Sequence, residues 1–292
     1  MTNQNTDMKA GYGRKRTITN VIVYVILTLM VIIWIFPIVW LVLQSFNTEN
    51  GMSSHLWPQG FTFDHYKALF DPANNETFPY GQWLFNTFIV AVLSCVISTL
   101  FILMVSYALS RLRFKSRKTL LNMGLILGMF PGFMSMVATG NIMKLFGLER
   151  NLFALVIVYS AGAGLGYQVA KGFFDTIPRA LDEAAKIDGA TRNQIFWIII
   201  LPLSKPIIVY TALTTFIGPW ADYIFVSYFM GDEIHKYTIA RGLYHMSSAE
   251  NASTQFTNFC AGSVLVAIPI TILFIIMQRF YVSGVTGGAV KG

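Results

Sequence analysis

The chain has 292 residues, of which 54% are hydrophobic and only 12% charged, and its formal net charge is +7. Soluble globular domains carry about 25% charged residues, so this composition excludes an ordinary soluble protein and indicates a polytopic membrane protein. The two cysteines, Cys95 and Cys260, lie in apolar runs and have neither metal-ligand spacing nor the pattern of a disulfide framework.

Long apolar runs predict an all-α protein with six membrane-spanning helices. Each run is about as long as the ~20 residues that a helix needs to cross a bilayer. The runs are continuous rather than alternating, which excludes the strands of a membrane barrel. They cover residues 18–44, 84–110, 120–146, 152–174, 198–221 and 259–281. The first follows the basic cluster Arg14-Lys15-Arg16 and is too long for a signal-peptide core, so we expect an uncleaved span.

The charge distribution predicts that both termini lie in the cytoplasm. With the N-terminus inside, sixteen of the 21 Lys and Arg residues fall on the cytoplasmic side, whereas nine of the 14 acids fall outside. The positive-inside rule favours this orientation, and it explains the net charge without a nucleic-acid partner. We therefore predict a cytoplasmic N-terminal segment (1–17), a transmembrane domain (18–283) and a cytoplasmic tail (284–292).

The fifth run contains three prolines, Pro202, Pro206 and Pro219. Proline removes a backbone donor and loosens a helix. Broken helices at membrane depth are tolerated where they line a cavity or a pathway. This run is therefore predicted to be an interrupted helix beside a pathway.

The segment between the fourth and fifth runs, residues 175–194, is predicted to be a short helix on the cytoplasmic face. Pro178 suits the first turn of a helix and Gly189 suits its end. Thr191 followed by Gln194 has the form of a capping box, which starts the next helix. By its charge pattern alone, the segment fits an ordinary solvated connecting helix equally well.

A spaced signature within this segment resembles the signature loop of the permease subunits of ABC importers. It reads Glu183-Ala184-Ala185, three residues, Gly189, nine residues, Ile199, one residue, then Leu201-Pro202. The resemblance implies a coupling helix that docks on a partner ATP-binding subunit. The coupling residues that it implies are Glu183, Ala184, Ala185, Asp188, Gly189, Leu201 and Pro202.

The chain has no G-x-x-x-x-G-K-[ST] phosphate loop. We therefore predict that it is not an enzyme and binds no cofactor, and that ATP and Mg²⁺ bind to partner subunits.

Further motifs resemble the carbohydrate branch of this family, and in particular the smaller permease of maltose and maltodextrin importers. They are Asn86-Thr87, the stretch 106–114, the stretch 220–225 and the glycine-rich stretch 278–292. The resemblance covers nearly the whole chain from about residue 20 onward. One departure is Ala221, where the family commonly has Asn.

The resemblance implies an oligosaccharide importer in a bacterial cell membrane. Its partners would be a second permease, two ATP-binding subunits and an extracellular sugar-binding protein. The outer loop 232–258, with Tyr244, Asn251 and Gln255, would enter the binding protein, although a plain connecting loop of this length fits the sequence as well. The tail would contact the ATP-binding subunits through Gly287, Gly288, Lys291 and Gly292.

A sugar pathway needs aromatic rings and neutral hydrogen-bonding groups. The candidates within the spans are Tyr107, Asn141, Tyr159, Tyr167, Gln168, Tyr210, Thr214, Trp220 and Asp222. An ABC permease for a polyamine, phosphate or another sugar class remains open, and so does an ion-coupled sugar carrier. Acids are scarce within the spans, which disfavours ion coupling. The four histidines lie in outer loops without metal-ligand spacing, so no metal site is predicted.

Overall fold

The computed structural model describes residues 3–52, 55–162 and 164–289, and no strand occurs among them. The helices are α1 (Asn3–Gln44), α2 (Asp64–Ala68), α3 (Tyr80–Arg111), α4 (Arg117–Gly128), α5 (Gly132–Leu145), α6 (Leu152–Ala161), α7 (Gly164–Thr176) and α8 (Arg179–Ile187). They continue with α9 (Arg192–Gln194), a π-helical turn (Ile195–Ile200), α10 (Leu201–Leu203), α11 (Lys205–Ala221), α12 (Ile224–Met230), α13 (Ile239–Ser247) and α14 (Ala252–Ala289). Single 3₁₀ turns occupy Pro72–Asn74 and Ile234–Lys236. The all-α prediction is confirmed over these residues.

Three helical segments are long and apolar enough to cross a membrane alone: Thr19–Gln44, Tyr80–Arg111 and Ala252–Gln278. The other predicted spans are bent pairs of helices. The α4–α5 pair bends by 106°, the segment Arg192–Leu203 meets α11 at 83°, and α6 with α7 forms the third pair. The number of spans therefore reaches six if each bent pair counts as one.

Prolines account for the two sharp bends. Pro131 between α4 and α5 has ψ 127°, outside the helical region, and it cannot donate a helical hydrogen bond. The second break falls at Ser204, between Pro202 and Pro206, where the Ser204 hydroxyl donates to the carbonyl of Ile200 at 2.6 Å. Helix α11 continues through Pro219, so only the first two of the three prolines predicted to interrupt this run lie at a break.

Helix α3 is the centre of the packed part of the chain, and it contacts α6, α7 and α11. Its first turns bury Tyr80 and Trp83 in one apolar cluster. Its last turns contribute Ile102 and Leu103 to a second cluster, which also contains Ala185. By contrast, the most apolar stretch of Thr19–Gln44 buries no residue against the rest of the described chain.

The N-terminal end of α3 holds the segment before α13. The indole of Trp83 donates to the carbonyl of Ile234 at 2.8 Å, and the Asn86 amide donates to the carbonyl of Tyr237 at 3.0 Å. The Thr87 hydroxyl accepts the backbone N–H of Ile239 at 2.7 Å. Asn86 and Thr87, noted above as a motif, therefore fix this loop through its backbone.

The other end of α3 holds α8. The guanidinium of Arg111 lies 3.3 Å from the carboxylate of Asp182, and the two side chains are only 3% and 10% exposed. Its Nη2 also donates to the carbonyls of Phe174 and Ile177, both at 2.8 Å. Next to this pair, Ser110 donates to Asp175 at 2.6 Å. One residue at the end of α3 therefore connects to α7, to the turn after it and to α8.

We predict that Asp182→Asn lowers the free energy of unfolding by about 3 kcal/mol, because it leaves the Arg111 guanidinium buried without its counter-charge. The measurement is thermal unfolding of the purified chain in detergent. The matched control is Asp64→Asn, whose partner Lys67 lies 3.2 Å away in a pair with both side chains more than 70% exposed. Exposed pairs contribute at most about 1 kcal/mol. Equal losses in the two variants would contradict the prediction.

Candidate functional site

Helix α8 and its flanking turns form as the sequence predicts. Pro178, with ψ 131°, occupies the position just before the first helical residue. The helix is followed by Gly189, whose φ of +83° is favourable only for glycine. The capping box is present: the Thr191 hydroxyl accepts the backbone N–H of Gln194 at 3.3 Å, and the Gln194 side chain accepts the backbone N–H of Thr191 at 2.8 Å. The segment is thus a short helix between two defined turns.

The two faces of α8 differ in composition. Asp182 and Ala185 are buried against the rest of the chain. On the opposite face, helical periodicity aligns Ala180, Ala184 and Ile187, and all three are exposed; Ile187 is 87% exposed. The signature does not include Ile187. Its spacing could have identified it, because a residue three positions after Ala184 lies on the same face of a helix.

The residues implied by the signature therefore occupy different environments. Glu183, Ala184, Asp188 and Gly189 are exposed, whereas Ala185 is buried. Leu201 and Pro202 lie in α10, and Leu201 packs against the cluster that contains Ala185. Pro202 is exposed as well, so five of the seven signature residues present a surface, whereas Ala185 is buried and Leu201 half-buried.

A central cleft of about 760 Å³ lies between α3, α5, α6, α11 and α12, and Gly166 of α7 also lines it. Its polar groups are mostly hydroxyls: Ser98, Ser135, Thr139, Tyr159, Tyr210, Thr211, Thr214, Thr215 and the carboxylate of Asp222. Within the part of the chain that the structure describes, no Lys, Arg or His lines this cleft. Its one carboxylate already accepts two hydrogen bonds, from the Tyr159 hydroxyl at 2.9 Å and from the backbone N–H of Phe225 at 3.0 Å.

Tyr159, Tyr210, Thr214 and Asp222 are the predicted pathway residues that line the cleft. The structure places the others elsewhere. Asn141 is exposed on α5 outside the cleft, and Trp220 is 6% exposed in the cluster that contains Tyr80 and Trp83. Tyr167 and Gln168 lie on α7, likewise outside the lining.

Tyr107 lies at the α8 end of the molecule. Its hydroxyl donates to the carbonyl of Arg192 at 3.3 Å, and its ring centroid is 4.8 Å from that of Phe196. It also meets Phe174 edge to face, with the centroids 6.5 Å apart. These contacts connect α3 to the helical segment that follows α8 and leave Tyr107 outside the cleft.

The outer loop 232–258 is folded rather than extended, because α13 occupies most of its middle. The guanidinium of Arg241 lies 4.5 Å from the ring centroid of Tyr237, and the rings of Tyr223 and Tyr244 are 4.0 Å apart. Partial burial, together with the nearby charge of Arg241, lowers the pKa of His245. Among the three predicted contact residues, Tyr244 is 48% exposed. Asn251 and Gln255 bond within the loop, to His245 and Asn258 respectively.

The remaining predicted site residues are in the tail. Gly287 and Gly288 lie within α14, whereas Lys291 and Gly292 are outside the described residues. No group of three His, Cys, Asp or Glu side chains that could hold a metal ion occurs among the residues described.

Comparison with curated proteins shows relatives along nearly the full chain. The galactooligosaccharides transport system permease protein GanQ of Bacillus subtilis is 36% identical over 98% of this chain and 100% of its own length. The maltodextrin transport system permease protein MalD of Streptococcus pneumoniae is 35% identical over 95% of this chain and 98% of its own. The maltose/maltodextrin permease protein MalG of Escherichia coli is 32% identical over 93% and 95%, respectively.

Among solved structures, the chain has the fold of a subunit from a bacterial ABC transporter involved in the import of the acidic polysaccharide alginate. The TM-score is 0.78 at 21% identity, over 92% of this chain and 98% of that one. A family model described as the binding-protein-dependent transport system inner membrane component matches residues 10–286. With a match of that length and relatives more than 30% identical along their whole sequences, the chain belongs to the family of inner membrane components of binding-protein-dependent transport systems.

Proposed function

We propose that this chain is one of the two permease subunits of an ABC importer for neutral oligosaccharides of the maltodextrin or galactooligosaccharide class. An extracellular binding protein delivers the sugar, and two partner subunits hydrolyse ATP. The observation that carries the proposal is the exposed apolar face of α8. The opposite face of this helix is fixed to α3 by the buried Arg111–Asp182 pair. GanQ and MalD are named for these two sugar classes and support the choice.

In the proposed orientation the chain crosses a bacterial cell membrane six times, with three of the spans bent and both termini in the cytoplasm. The excess of Lys and Arg on the side of α8 supports this arrangement. It places α8 where ATP is available. By resemblance, the tail from residue 284, with Gly287, Gly288, Lys291 and Gly292, contacts the ATP-binding subunits.

The face of α8 has the properties of a docking surface. A fully exposed isoleucine gains about 1.5–3 kcal/mol when a partner covers it, and Ile187 is close to fully exposed. Ala180 and Ala184 beside it are small enough to let a partner approach the helix backbone closely. Glu183 adds a charge at the margin of this face. Closure of the ATP-binding subunits would then move α8 together with α3 and α7.

The central cleft favours a neutral sugar. Its volume lies within the range of about 300–1,000 Å³ that is usual for ligand sites, and its lining offers hydroxyls and aromatic rings. An acidic polysaccharide would need cationic groups, and none lines the described cleft. A polyamine carries several positive charges and would need several carboxylates, whereas Asp222 is the one carboxylate in the described lining.

We predict that proteoliposomes containing the transporter accumulate maltodextrins or galactooligosaccharides when supplied with ATP and the binding protein. Alginate oligosaccharides of equal length should not be accumulated, because moving their carboxylates into a cleft without cations is unfavourable. Uptake of labelled sugar is the measurement, and liposomes without ATP are the control. Preferential uptake of the uronate oligomer or of a polyamine would refute the substrate class and leave the importer assignment intact.

We predict that Ile187→Glu lowers the affinity for the ATP-binding subunits by about 10- to 100-fold, the factor that corresponds to the lost apolar burial. The measurement is the amount of these subunits that co-purifies, together with binding-protein-stimulated ATPase activity. Lys115→Glu is the control, because Lys115 is exposed at the same end of the molecule but is not on α8. Normal assembly and coupling in Ile187→Glu would rule out this docking face.

A further inference from the structure

A second cavity, of about 360 Å³, lies at the α8 end of the molecule. Its walls come from the end of α3 and the residues just after it, from one edge of α8, and from α9 with the turn that follows. The ionisable residues that line it are Arg111, Arg113, Arg179, Asp182, Glu183, Lys186 and Arg192. It therefore joins three elements that are separate in the sequence.

The cavity carries an excess of positive charge. Arg111 and Asp182 neutralise each other in their buried pair, which leaves four cations and the single carboxylate of Glu183. In the described part of the chain, Arg113, Arg179, Lys186 and Arg192 have no carboxylate within ion-pair distance. Cavities lined by charges of one sign focus the field and concentrate ions of the opposite sign.

One wall of the cavity also contains a buried donor without a partner. The Arg111 side chain is 3% exposed, and its two terminal nitrogens bond Asp182 and two carbonyls. Its Nε is buried and has no hydrogen-bond partner in the described structure. A buried N–H group without a partner is costly, and a ligand oxygen could accept from it. Oδ1 of Asp182 is likewise buried without a partner in the described structure, so this wall offers one unpaired donor and one unpaired acceptor.

The cavity is distinct from the apolar docking face of α8. Arg179, Asp182, Glu183 and Lys186 follow the spacing i, i+3, i+4 and i+7, and therefore form one edge of the helix. Ala180, Ala184 and Ile187 lie on a different face. Glu183 lies where the two faces meet, whereas Arg179 and Lys186 are farther from Ile187 around the helix.

We propose that this cavity binds a phosphate group, supplied either by an anionic phospholipid headgroup or by a soluble phosphate compound. Guanidinium forks match the geometry of phosphate oxygens and can bond them in pairs. Basic pockets between membrane helices on the cytoplasmic side are also the places where anionic headgroups bind. A phosphate held by Arg179 and Lys186 on one side and by Arg113 and Arg192 on the other braces α8 against α3.

The test uses the full-length chain in nanodiscs of neutral phosphatidylcholine and measures its thermal unfolding midpoint. In one arm, sodium phosphate replaces sodium chloride at equal ionic strength, so that screening is the same. In the other arm, phosphatidylglycerol replaces part of the phosphatidylcholine. A specific site should raise the midpoint by about 2 °C in at least one arm. A rise with phosphate alone identifies a soluble ligand, and a rise with phosphatidylglycerol alone identifies the headgroup.

The double variant Arg179→Gln/Lys186→Gln should lose this rise, because it removes both cations of the α8 edge. The matched control is Lys115→Gln/Lys118→Gln, which removes two exposed charges from the same end of the molecule without touching the cavity. Non-specific stabilisation by phosphate would raise the unfolding midpoint equally in the unmodified chain, the cavity variant and the control variant.

No rise in either arm, or equal rises in the cavity variant and the control, would overturn the proposal. If neither arm gives a response and the same double variant of the assembled transporter loses its ATP-binding subunits on co-purification, the cavity receives carboxylates of that partner instead, and the proposal fails. Neither arm requires transport, so failure here leaves the proposed function standing.

Discussion

The buried pair of Arg111 and Asp182 is the interaction on which the rest of this architecture depends. A short helix at a membrane surface has too few internal hydrogen bonds to hold a fixed orientation alone, and α8 has only nine residues. Arg111 supplies the missing constraint, since it contacts the carboxylate of α8 and two carbonyls before it. Because Arg111 ends the longest fully described span, any movement of α8 is also a movement of α3.

The second constraint is the polarity of the cleft. Membrane-embedded charges are costly unless they pair or meet water, and the described cleft has a single carboxylate, which accepts hydrogen bonds from two neutral donors. The hydroxyl groups around it are polar enough to bond a sugar, and several of them also bond carbonyls of their own helix; Thr214, for example, donates to the carbonyl of Tyr210 at 3.0 Å. This lining supports the proposal of a neutral sugar as the transported solute.

Much of the fold follows from local sequence properties. The six apolar runs coincide with helices or bent pairs because length and continuous hydrophobicity are properties of a single segment. The turn at Gly189 and the capping box at Thr191 and Gln194 are likewise local, since their hydrogen bonds join residues only a few positions apart. The position of the bend in the fifth run could be narrowed to the prolines, but three prolines were equal candidates. Packing places the break at Ser204 and carries α11 through Pro219.

The sequence by itself determined the helical class, the apolar segments, the local turns and the family signature, because each of these depends on residues close together in the chain. Only the tertiary structure decided which signature residues face outward. Ala184 and Ala185 are indistinguishable by type, yet one is exposed and the other buried, since the π-helical turn and the end of α3 contact one side of α8. Likewise, Tyr107 and Tyr210 are both tyrosines within apolar runs, and only Tyr210 lines the cleft. The partners of Arg111 could not be identified from the sequence, because an ion pair across distant segments depends on how helices pack rather than on spacing.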